Sequence, residues 1–254
     1  MASSASTTVA ALVVAFAVVA SGCGGGHRRA ASDTAAGTMP APSRATPPDP
    51  LDHCESAGPG WRALDAAGPT GAPAARLGSG RVGVVFANDS INDACSWSAE
   101  ARALAARGHP VAVFKASRGL EVDQAVTVGD ALRGAGARRV VLIGASVGAR
   151  AVLQAGLEHP RGVVGLVALS AERRVSTSPG DLLADVRRVR LPVLSIGSRR
   201  DPLTTWGSDT RAFHRALDND TTLLVSGSDH GTELLGGRHG AQVRAAILRF
   251  VGSL

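Results

Sequence analysis

The stretch that most constrains this chain runs from Arg139 to Gln154: Arg-Val-Val-Leu-Ile-Gly-Ala-Ser-Val-Gly-Ala-Arg-Ala-Val-Leu-Gln. Four aliphatic residues, Val140 to Ile143, lead into Gly144-Ala145-Ser146-Val147-Gly148, and a helix-compatible segment follows at once. The pattern reads as strand, sharp turn, helix. A serine at the apex of such a turn is held in a strained conformation with its hydroxyl above the strand ends. Glycines on either side of it let strand and helix approach closely. The helix would aim its first N–H groups and its dipole at the serine, which favours an oxyanion nearby. Ser146 is therefore a candidate nucleophile. The alternative is a plain strand-to-helix turn, because a chain with 31 glycines can produce Gly-X-Ser-X-Gly by accident.

Composition narrows the classes. At 254 residues and 44% hydrophobic content the chain can bury a sizeable core, and no internal repeat is visible. The balance of 27 basic over 21 acidic residues gives +6, with Lys115 the only lysine. Nucleic acid is a poor fit, because the arginines are scattered and only 3% of residues are aromatic, with no tyrosine for base stacking. An anionic membrane or cell-wall surface, or compositional bias, accounts for the charge equally well.

Val9 to Ala20 is an unbroken apolar run of leader length, too short for a settled transmembrane helix. It ends in Ala20-Ser21-Gly22-Cys23, which resembles a bacterial lipobox, with Ala20 where leucine is usual and no basic residue before Val9. That resemblance implies a signal peptide over residues 1–22, lipidation of Cys23, and a protein anchored to the cell membrane and facing outside the cytoplasm. An ordinary signal peptide and a secreted soluble product is the alternative. Residues 23–51 are rich in Gly, Ala, Ser, Thr and Pro without apolar periodicity, and read as a disordered tether. Residues 52–254 hold the folded domain. Two further cysteines, Cys54 and Cys95, suggest in an exported chain one disulfide worth about 4 kcal/mol by loop closure, or else two buried thiols.

Within the domain the pattern alternates. Weak strands at Arg62–Ala67 and Ala72–Leu77 suit an edge hairpin. Buried strands are expected at Val82–Ala87, Val111–Lys115, Val140–Ile143, Val163–Leu169, Val193–Ile196 and Thr222–Val225. Helices are expected at Ser96–Arg107 with Ser96 as N-cap, Val122–Arg133, Val147–Glu158, Asp181–Arg188, Thr205–Leu217 and Ala241–Val251. Apolar strands separated by amphipathic helices mean an α/β, doubly wound, mostly parallel sheet covered on both faces.

In such sheets the site lies beyond the carboxyl ends of the strands. One strand end delivers Ser146, the next but one Gly197-Ser198-Arg199-Arg200-Asp201-Pro202, and the last Gly227-Ser228-Asp229-His230-Gly231. Ser, Asp, His in that order, at three strand ends spread over the domain, resembles the α/β-hydrolase superfamily, in particular its compact bacterial serine esterases of the dienelactone-hydrolase kind. The resemblance implies a triad. His230 would take the Ser146 proton and return it to the leaving group, while Asp201 orients His230 and stabilises the imidazolium. His239 is the nearest competing histidine. Glu172, after the strand ending at Leu169, stands where some members of the superfamily carry the acid.

The same resemblance implies an oxyanion site built from the backbone N–H of Val147 and one donor after Val82–Ala87, at Asp89 or its neighbour Asn88. The Asp89 carboxylate must then turn away or find a partner. No cofactor is expected: Gly134-Ala135-Gly136 precedes a strand rather than following one, and no Cys/His cluster has metal spacing. Too few residues separate Leu169 from Val193 for a cap domain, so an open site and small or accessible esters are expected. Trp97 and Trp206 could line the pocket or belong to the core or an edge; Arg199 and Arg200 could attract an anionic substrate or be a solvated pair. The activity expected is carboxylic ester hydrolysis by a monomer, with an amidase or peptidase, or a non-catalytic surface lipoprotein of the same fold, as alternatives.

Overall fold

The computed structural model describes residues 49–54, 57–89, 94–174 and 180–254. The expected signal peptide, Cys23 and the tether up to residue 48 lie outside the described residues. No helix among the described residues is long and apolar enough to cross a membrane.

One eight-stranded sheet organises the domain. In chain order its strands are β1 (Arg62–Leu64), β2 (Ala74–Leu77), β3 (Val82–Ala87), β4 (Val111–Phe114), β5 (Arg139–Ala145), β6 (Val163–Leu169), β7 (Val193–Ser198) and β8 (Asp220–Val225). Their spatial order is β1-β2-β4-β3-β5-β6-β7-β8. β1 and β2 form the antiparallel edge hairpin that the weak strands suggested, and β2 joins β4 antiparallel; every later pair is parallel. Side chains alternate between two cores, as a sheet buried on both faces requires. Val140 and Leu142 of β5 enter one core, and Val141 and Ile143 the other.

Helices α2 (Glu121–Gly134), α3 (Val147–Leu157) and α5 (Ser208–Ala216) cover the first face. Helices α1 (Ser98–Ala105) and α7 (Gly240–Gly252) cover the second. Two short helices complete the set, α4 (Leu182–Asp185) between β6 and β7 and α6 (Glu233–Gly236) before α7. Between β6 and β7 the described residues hold only α4 and a 3-10 turn at Val186–Arg188, so they build no large cap.

Three expectations about helix boundaries are corrected. The helix expected from Ser96 starts instead at Ser98, after a 3-10 turn over Ala94–Trp97, and its N-cap position is Trp97 without a side-chain cap. That turn carries Cys95, which is disulfide-bonded to Cys54 with their Cα atoms 5.4 Å apart. It also buries Trp97 completely against Phe86, ring centroids 4.6 Å apart, so Trp97 belongs to the core and does not line a pocket. The helix expected from Thr205 starts at Ser208, because Thr205, Trp206 and Gly207 have φ of 51, 56 and 67°, outside the helical region. The segment from Asp181 is α-helical over Leu182–Asp185 and continues as the 3-10 turn to Arg188, with the Asp181 side chain accepting from the Leu183 N–H as its cap.

Candidate active site

The turn after β5 has the geometry its sequence demands. Ser146 sits at φ 52° and ψ −115°, a strained conformation for a residue with a Cβ. Its N–H donates to the Leu169 carbonyl at 2.9 Å, which ties the turn to the end of β6. A Cβ at Gly144 would strike the backbone of Gly148, and one at Gly148 would strike the carbonyls of Ala87 and Asn88. The two glycines thus let α3 begin directly against the loop after β3. Val147 opens α3, and Asp89 lies two residues beyond the end of β3, so the two expected oxyanion donors stand on abutting elements.

Asp201 follows β7 and is fully buried. Its Oδ2 lies 2.8 Å from His230 Nδ1, and its Oδ1 accepts the Leu203 N–H at 3.0 Å. Burial alone would raise its pKa, but the hydrogen bond from His230, that ring's charge and the Leu203 N–H together hold it below the ordinary carboxylate value. The segment that follows wraps back on it. The Trp206 N–H donates to the Asp201 carbonyl at 2.8 Å, which accounts for the left-handed backbone there. Leu203 and Trp206 are exposed beside it, giving the acid's loop an apolar outer surface.

His230 lies in the turn between β8 and α6, its backbone N–H donating to the Glu233 carboxylate at 3.0 Å. Desolvation would depress its pKa, but the bond to Asp201 and the charges of Asp201, Glu172 and Asp89 outweigh this and raise it. Its Nε2 is buried and makes no hydrogen bond among the described residues. The competing histidine, His239, is engaged elsewhere, with Nε2 2.7 Å from the Ser226 hydroxyl.

Glu172 stands closer to the nucleophile than its sequence position suggested. The Ser146 hydroxyl donates to Glu172 Oε1 at 3.1 Å, and the same oxygen is 4.0 Å from His230 Nε2. Burial raises the Glu172 pKa against the opposing effects of the Ser146 hydrogen bond and the His230 charge. Behind it, the buried guanidinium of Arg150 on α3 donates to the backbone carbonyls of Glu172, Arg173 and Gly180. Sequence reading singled out Glu172 as an alternative acid but missed Arg150, whose place in the first turns of α3 was the available signal.

The remaining expected residues fall around this centre. The Asp89 carboxylate accepts from the Thr232 hydroxyl at 3.1 Å, the partner its position required. Asn88 is buried, its amide donating to the Phe114 carbonyl at 3.4 Å. Arg199 and Arg200 are exposed, with their backbone N–H groups donating to the Val225 and Gly227 carbonyls.

No protein-family model and no curated protein matches the sequence. Solved structures do match. A monoacylglycerol lipase from Paleococcus ferrophilus superposes with a TM-score of 0.61 at 15% identity, over 72% of this chain and 98% of that one. A hydrolase from Pseudomonas aeruginosa gives 0.61 at 16%, and a proline iminopeptidase from Mycobacterium smegmatis 0.59 at 13%, each over 76% of this chain and 98% of the other. With the strand order and the serine turn at the end of β5, these likenesses show that the chain has the α/β-hydrolase fold.

Proposed function

We propose that the protein is a serine hydrolase that cleaves carboxylic esters through an acyl-enzyme on Ser146, with His230 as general base and Asp201 as its partner. The observation that carries the reading is the bond of 2.8 Å between the buried Asp201 and the half-buried His230, near a serine held at φ 52° at the head of α3. The lipolytic enzymes among the structural neighbours support the ester reading, and the proline iminopeptidase beside them makes the amide the second reading.

The chemistry follows from the geometry. Ser146 Oγ turns from Glu172 toward His230 Nε2 and attacks the ester carbonyl carbon, and its proton passes to Nε2. The carbonyl π electrons move onto oxygen, where the N–H groups of Val147 and Asp89 receive them; one such donor is worth about 3 kcal/mol in the transition state. The C–O bond then breaks, and the alcohol leaves with the proton from Nε2. Water repeats the sequence on the acyl-enzyme and releases the acid. Such hydrogen bonds commonly tighten only when substrate is bound.

In the same proposal the chain is exported and held at the membrane by a lipid on Cys23. Metabolic labelling with an alkynyl fatty acid should tag the parent and not Cys23→Ala; equal tagging of both would discard the anchor.

Fluorophosphonate labelling of the purified domain tests the chemistry, with Ser146→Ala and His230→Ala alongside. Labelling of the parent that both variants lose is the expected result. A folded parent that takes no label would end the hydrolase reading and favour a binding role.

A further inference from the structure

We propose that Glu172 is a second carboxylate of the catalytic machinery, placed on the nucleophile's hydroxyl and at the Nε2 edge of His230, where it makes the imidazole a stronger base. The inference rests on the serine hydrolase reading and assigns Glu172 a role distinct from the acid at Nδ1, which Asp201 fills.

Geometry carries it. One oxygen, Glu172 Oε1, receives the Ser146 hydroxyl at 3.1 Å and lies 4.0 Å from His230 Nε2. It therefore stands beside both ends of the path the proton must travel. Among the described residues its one ion-pair partner is His230. The Arg150 guanidinium directs Nη1 and Nη2 to the backbone carbonyls of Glu172, Arg173 and Gly180, so it fixes this segment while those bonds leave the carboxylate to the serine. A carboxylate serving only the fold would be expected to take that cation.

The consequence can be followed through one turnover. As Oγ bonds to the substrate carbon, its proton moves to Nε2, and the imidazolium then has Asp201 at Nδ1 and Glu172 facing the Nε2 edge. Both charges favour the protonated ring until Nε2 hands its proton to the leaving alcohol. Other charged groups face the pair as well. Asp89 lies against the turn that carries His230, Glu233 binds the His230 N–H, Asp209 of α5 acts on Glu172, and Arg150 approaches from α3. Glu172 is the one whose carboxylate touches the reacting oxygen.

The test is the pH dependence of fluorophosphonate inactivation for the full chain, Glu172→Gln and Glu172→Asp. The acid limb reports the free His230. In Glu172→Gln it should move to lower pH by about one unit, because a charge favouring the imidazolium is gone. In Glu172→Asp, which keeps the charge but withdraws it, the limb should move the same way by less; this variant carries the test if the amide fails to fold. A purely structural role would lower the melting temperature without moving the limb. An unmoved or upward-shifted limb in a folded variant overturns the proposal. So does a loss of about 10⁴-fold in Glu172→Gln with Asp201→Asn near the parent rate, which would exchange the two carboxylates' roles. A parent that takes no label at any pH sinks the hydrolase reading itself, and this role with it.

Discussion

Asp201 and Glu172 follow neighbouring parallel strands, β7 and β6, and both face His230, yet the fold treats them in opposite ways. Asp201 is fully buried and its pKa is lowered; the Glu172 side chain keeps 18% of its exposure and its pKa is raised. Depth would predict the reverse. What differs is the supply of donors. Asp201 receives a backbone N–H from Leu203 and a ring N–H from His230, both suited to an anion, whereas Glu172 receives one hydroxyl. Hydrogen bonding to the charged form outweighs desolvation at one site and falls short at the other. The first carboxylate is thereby held more firmly as an anion than a free one, and the second less firmly.

The contrast breaks most visibly at Asp201. Asp201→Asn should preserve the fold and cost about 10⁴-fold in ester turnover, because an amide can donate to Nδ1 as well as accept from it and so no longer fixes the tautomer with a free Nε2. Turnover with p-nitrophenyl acetate measures it, and a loss below about tenfold would mean that another group orients the ring.

How much of this contrast the sequence carried is uneven. Ser146, Asp201 and His230 could be singled out because each stands just beyond an apolar strand, and strand ends are readable from runs such as Val140–Ile143 and Val193–Ile196. Glu172 could be placed after β6 by the same logic. Its contact with Ser146 could not, because it follows a turn through Ser170 at φ 52°, a conformation no local signal announces in a residue other than glycine. The left-handed run at Thr205–Gly207 was hidden for the same reason. The bond from the Trp206 N–H back to the Asp201 carbonyl supports it, and local helix pattern carried the expected α5 three residues too far toward its start. Trp97 was ambiguous because burial depends on where the Cys54–Cys95 bridge pins the chain.

The next effect lies beneath Glu172. Burial lowers the pKa of Arg150, although its guanidinium still serves three carbonyls. Arg150→Met keeps most of the apolar stem and takes this donor from the Glu172 and Gly180 carbonyls, while the Arg173 carbonyl keeps the Leu182 N–H, at a cost of about 2 kcal/mol in urea unfolding. If the guanidinium fixes the Glu172 segment, the acid limb of inactivation should also move part of the way toward that of Glu172→Gln. Full stability in Arg150→Met would show that water replaces the guanidinium without loss.

The smallest effect concerns what Glu172 costs the fold. Its folded pKa lies above the ordinary 4.5, so the native state holds this proton more tightly than the unfolded chain does. Its contribution to stability is therefore greatest below about pH 4 and is lost as pH rises through the folded value. Above that value the native protein carries an under-solvated carboxylate. Glu172→Gln removes the charge while keeping an acceptor for the Ser146 hydroxyl, so the variant should be more stable than the parent at pH 8, with the gain shrinking as pH falls toward 4. Asp201→Asn has the opposite sign, because a carboxylate with a lowered pKa stabilises the native state above its unfolded value. Urea midpoints of both variants across the same pH series compare the two carboxylates directly. Parallel pH trends would mean that the donors around Asp201 do not separate it from Glu172. Divergent trends would mark Glu172 as a group whose charge is retained at the expense of stability, as expected of a residue held in place for its action on Ser146 and His230.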